Sequence, residues 1–111
     1  MLIVNVPLRL GRGQNNREHH MARHRRVKAE REAVSWVLLG KPRPPLPCVV
    51  RMVRIAPSNG MDDDGCVGAL KSVRDGVASW LGVDDGRADL VTYVAHQERG
   101  PWGVRIEVEM R

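Results

Sequence analysis

Apolar and polar residues alternate over residues 2–10, with Leu2, Val4, Val6, Leu8 and Leu10 on one side and Asn5, Pro7 and Arg9 among those on the other. A period of two predicts a half-buried strand, and Pro7, which has no amide to donate, places it near a sheet edge. The turn-like stretch GRGQNN at 11–16 follows, with Asn16 able to cap a long basic helix over roughly 17–39. Gly40 and the proline-rich connector KPRPPLP at 41–47 end that helix. The run CVVRMVRIA at 48–56 is a Val-rich strand, and PSNGM at 57–61 is a loop.

After Asp62–Asp64 the period becomes helical. At about 100° per residue, Val67, Leu70, Val73, Val77, Trp80 and Leu81 gather on one side. Gly82 stops this helix, VDDGRAD at 83–89 forms an acidic turn, and LVTYVAHQ at 90–97 is a strand. Beyond the turn RGPWG, Val104, Ile106, Val108 and Met110 alternate with Arg105, Glu107 and Glu109, which predicts a terminal strand in a hairpin with the one before it. The order is β-α-β-α-β-β, an α+β fold with two helices packed on one four-stranded mixed sheet. At 111 residues the chain forms one small domain, 1–111, around a single core.

Composition adds constraints. With 42% apolar residues but no Phe and few aromatics, the chain is globular rather than disordered. The opening MLIVNVPLRL has no basic segment before its apolar run and is far too short to span a bilayer, so no membrane association and a cytoplasmic location are expected. Cys48 and Cys66 form no CxxC pair and read as reduced, partly buried thiols. His19, His20 and His24 lack a Cys or Glu that would complete a zinc set. Trp36 and Trp80 have apolar helical neighbours and read as core residues, although these and Trp102 also have the chemistry to stack on unpaired bases.

The net charge of +5 is unevenly spread: the N-terminal third is basic, while acids gather at 62–64, 84–85 and 89. Asn16, Arg17, Arg23, Arg25, Arg26 and Lys28 are therefore candidates for phosphate contact, a footprint without sequence specificity. On the second helix Asp64, Gly68, Lys71 and Asp75 form a stripe opposite the apolar face. One capping Asp satisfies a helix start, whereas three adjacent carboxylates repel one another, a penalty that a divalent cation removes. Hard oxygen donors suit Mg²⁺ or Mn²⁺. A helix of 18 residues is about 27 Å long, so Asp84 and Asp85 approach the first acids only if the helix is shorter or the chain folds back. An acidic cluster within a basic domain suits an enzyme acting on phosphodiesters.

The run MDDDGCVGALKSVRDG at 61–76, with Lys71 and Asp75 four apart and GVDDG at 82–86, resembles the RusA-type crossover junction endodeoxyribonucleases, many of them carried by phages and prophages. NNREHHMARHRRVKAEREAV at 15–34 looks like that family's N-terminal asparagine-and-arginine region. The resemblance implies a small homodimeric α+β protein that resolves Holliday junctions and other branched DNA with Mg²⁺, in recombination and repair, and needs no nucleotide cofactor. It implies Asp62, Asp64 and Asp85 as metal-binding acids, with Asp63 and Asp84 as adjacent alternatives, Lys71 as catalytic lysine and Asp75 as its support. Two departures stand out: Gly65 occupies the place of an asparagine, and Lys71 follows Asp64 by seven residues rather than four. The competing expectation from the residues is a non-catalytic DNA-binding protein that uses the helix over 17–39, with the acids serving as a cap and a solvated turn.

Overall fold

The computed structural model describes residues 1–10, 20–58, 60–84 and 86–111. Among the described residues seven elements follow one another: β1 (Leu2–Val6), α1 (His20–Leu38), β2 (Cys48–Ala56), α2 (Asp63–Ala69), α3 (Lys71–Leu81), β3 (Val91–Arg99) and β4 (Gly103–Met110). They make an α+β domain with a four-stranded mixed sheet in the order β1-β4-β2-β3. β2 runs parallel to β3, while β4 is antiparallel to both β1 and β2.

The predicted hairpin between the last two strands does not form. β4 instead lies between β1 and β2, because Val104, Ile106 and Val108 are each no more than 1% exposed and need covered neighbours on both sides. The chain passes around the end of β2: Ala56 pairs with Arg99 on one side, Ile55 with Gly103 on the other, and the Gly100 amide donates to the Ala56 carbonyl at 2.9 Å. β1 takes an edge, as the proline after it suggests.

The single predicted helix over 64–81 is two helices. Leu70 breaks it with φ −89° and ψ 0°, so Asp64 and Lys71 stand on separate helices rather than on one continuous stripe. Cys66, Leu70, Val73 and Val77 are buried together, but Val67 is 57% exposed. The helical wheel explains this: the buried set centres on Cys66, and Val67 lies roughly 90° from that centre. α3 ends where expected, at Gly82, whose φ of 69° is left-handed and whose amide reaches the Ala78 carbonyl.

α1 buries the stripe Glu30, Val34 and Leu38. Trp36 lies roughly 160° around the helix from that stripe and is 74% exposed, contrary to its expected place in the core. Trp80 is half-buried against the core. α1 and α3 approach closely at Gly76, where an added Cβ would lie 2.9 Å from Val34 Cβ and Cγ1. Among the described residues no helix is long and apolar enough to cross a membrane.

Candidate functional site

The acidic segment begins at a fixed point. The Gln97 side chain on β3 holds the Met61 backbone from both sides, accepting from its amide at 2.9 Å and donating to its carbonyl at 2.6 Å. The Arg54 guanidinium, buried on β2, reaches the same Gln97 oxygen at 3.4 Å. Asp62 then caps α2, its Oδ1 accepting from the Gly65 amide at 2.8 Å. Asp63 and Asp64 occupy the first turn, where their charge complements the helix dipole. All three carboxylates are exposed.

Gly65 is tied to this cap. A Cβ there would come within 2.6 Å of Asp62 Oδ1, so glycine at this position permits the capping geometry.

Lys71 opens α3, and its ammonium lies 3.7 Å from Asp75 one turn on, the lysine side chain 56% and the carboxylate 29% exposed. An exposed pair of this kind adds little stability but restrains the lysine. The acidic turn after α3 comes back along this helix. Asp84 lines a shallow groove with Asp75 and Ser79, and Gly86 lines a pocket with Lys71 and Arg74. The predicted helix is thus divided in two, and the turn after α3 brings Gly86 to the pocket lined by Lys71. Asp85 itself lies outside the described residues, as do Asn16 and Arg17. Among the described residues no three His, Cys, Asp or Glu side chains stand close enough to hold a metal ion.

Behind this surface, Glu30 joins α1 to α3. Only 7% exposed, its Oε1 accepts from the Ser72 hydroxyl at 2.7 Å, and its Oε2 lies 3.2 Å from the Arg26 guanidinium. Ser72 is next to Lys71, so the basic helix is bonded to the start of the helix that carries the candidate lysine. Sequence reasoning does not reach Glu30 or Gln97. The signal for Glu30 is its place four and eight residues before Val34 and Leu38 on the buried stripe; a strand glutamine gives none.

Of the candidate phosphate contacts on α1, Arg25 and Lys28 are exposed, while Arg23 and Arg26 are half-buried. Trp102 packs beneath two cations, with Arg9 at 4.7 Å and Arg54 at 5.6 Å from its ring centroid.

No protein-family model matches this chain, and no curated protein does. The chemistry of the site therefore rests on the residues themselves.

The donor set at 62–64 consists of exposed, hard carboxylate oxygens, which suit Mg²⁺ or Mn²⁺ better than zinc. Asp62 has one oxygen engaged in the cap and a second with which to bind. The nearby thiol is a poor ligand: Cys66 is buried, its Sγ donates to the His96 carbonyl at 3.6 Å, and burial holds its pKa above the ordinary thiol value, an effect Arg54 only partly offsets.

Proposed function

We propose that the protein is a Mg²⁺-dependent endonuclease that resolves Holliday junctions and other branched DNA, acting as a homodimer so that two sites can cut two strands. The observation that carries this reading is the return of the acidic turn: Asp84 and Gly86, on either side of Asp85, flank the helix that presents Lys71 and Asp75. This supports the reading because the segment carrying the second pair of acids then lies beside α3, the helix that also packs on the basic helix α1.

In this reading Asp62, Asp64 and Asp85 would hold the cation, which when bound would polarise a phosphoryl oxygen and lower the pKa of a water. Lys71 places its ammonium against the charge that develops on the phosphate, and Asp75 keeps that ammonium in position. Arg25 and Lys28, on the exposed side of α1, hold the DNA backbone by charge, with Arg17, Arg23, Arg26 and Asn16 as further contacts.

A second reading, a DNA-binding protein without catalysis, is favoured by the cap itself, since the Asp62 carboxylate already has a structural role in bonding to Gly65. Asp64→Asn separates the two. The endonuclease loses Mg²⁺-dependent cleavage in this variant and keeps its junction binding, whereas a parent protein that binds junctions and never cuts them supports the second reading.

A further inference from the structure

The pocket at the corner between α2 and α3 has a volume of about 380 Å³. This is near the lower end of the range for small-molecule clefts, about 300–1,000 Å³. Its floor is apolar, formed by Met52 and Ala95 of the sheet and Leu70 of the helix break. On one side stands Tyr93, with the Arg74 guanidinium 4.6 Å from its ring centroid. Lys71, its side chain 56% exposed and its ammonium 3.7 Å from Asp75, also lines the pocket, and the described lining itself holds these two cations and no carboxylate. Val67, on the wall, is a branched apolar side chain left 57% exposed.

An apolar floor, an aromatic–guanidinium pair and a second cation match a ligand with a flat unsaturated body and an anionic tail. Inorganic phosphate would engage the cations alone and leave the apolar floor uncovered. We infer that the pocket takes one unpaired nucleotide, its base on Met52 and Ala95 beside Tyr93 and Arg74, and its phosphate on Lys71. Bases stack readily on aromatic and guanidinium surfaces, and unstacking costs least where pairing is already broken, as at a branch point. The inference deepens the proposed function, and it rests on the reading of the chain as a protein of branched DNA.

The test does not depend on cleavage. The full chain, free of divalent metal, is titrated with dAMP, adenosine and inorganic phosphate while backbone amide resonances are followed. Saturable shifts at Met52, Tyr93 and Ala95 are expected with dAMP, with weaker binding of adenosine and no matching shifts from phosphate. Lys71→Gln should weaken dAMP by about tenfold, the loss of one charge-assisted hydrogen bond, and leave adenosine unchanged. Val67→Trp, which fills the pocket from an exposed position, should abolish binding, and Val67→Glu should do the same by repulsion if the Trp variant does not fold. The inference is overturned if dAMP leaves those amides unmoved, if phosphate alone reproduces the shifts, or if a folded Val67 variant binds like the parent. A parent that binds dAMP but never cuts DNA with Mg²⁺ would overturn the endonuclease and leave the pocket standing.

Discussion

Replacing Gly76 by alanine sets two known effects against each other. In a helix interior alanine is favoured over glycine by about 1 kcal/mol, so α3 alone would be stabilised. Against this, the new Cβ would meet Val34 Cβ and Cγ1 at 2.9 Å and the Arg31 carbonyl at 3.2 Å. Carbon atoms rest at about 3.5–4.0 Å, so the surfaces must part by roughly 0.6–1 Å. Rotating Val34 gives no relief, because its Cβ is fixed to the backbone and the other contact is a backbone oxygen. Overpacking of this kind costs about 1–3 kcal/mol, leaving a net loss of about 1 kcal/mol. For a domain near this size that lowers Tm by about 5 °C. Thermal unfolding followed by circular dichroism measures it, with Ser79→Ala on the exposed side of α3 as control, expected to gain a few tenths of a kcal/mol from propensity alone. A Gly76→Ala protein as stable as the parent, or more so, would refute the close approach of α1 and α3.

Asp62→Ala should lose about 1 kcal/mol as the α2 cap disappears, while Asp62→Asn keeps the cap and loses the charge, so that urea unfolding separates the capping role from any role in cleavage. Leu70→Ala, at 0% exposure, should cost about 2–5 kcal/mol in the same assay, whereas Trp36→Ala, at 74% exposure, should stay within about 0.5 kcal/mol of the parent. Hydrogen bonding to Arg105 holds Glu98 below the usual carboxylate pKa, and hydrogen bonding to Arg87 does the same for Asp89. A depressed folded pKa gives stability that is present above the unfolded value and lost as pH falls through the folded one. Stability should therefore decline below about pH 4, and Arg105→Gln should flatten that decline in unfolding curves taken across acid pH.

The local elements were legible because their periods are clean. Val4 and Val6 of β1, the apolar run of β2 and the alternation of β4 each carry their own burial pattern. Strand order was not, since β4 reads equally well as the second arm of a hairpin, and only the need to cover Val104, Ile106 and Val108 moves it between β1 and β2. The break at Leu70 is also silent in sequence: Cys66, Leu70, Val73 and Val77 would share one face of an unbroken helix. At the candidate site, the acids, Lys71 and its pairing with Asp75 follow from spacing along one segment. Glu30 with Ser72, and Gln97 with Met61, join residues about 40 positions apart, and only the assembled fold brings them together.

Incubating the purified protein with a four-way DNA junction and with linear duplex, in Mg²⁺ and in chelator, beside Asp64→Asn, decides whether it is a junction endonuclease. A junction endonuclease makes paired cuts near the branch point in Mg²⁺ and none in chelator, and its Asp64→Asn variant binds the junction without cutting it. A parent protein that binds the junction but leaves it intact in both Mg²⁺ and Mn²⁺, or an Asp64→Asn protein that cuts as well as the parent, would contradict this reading.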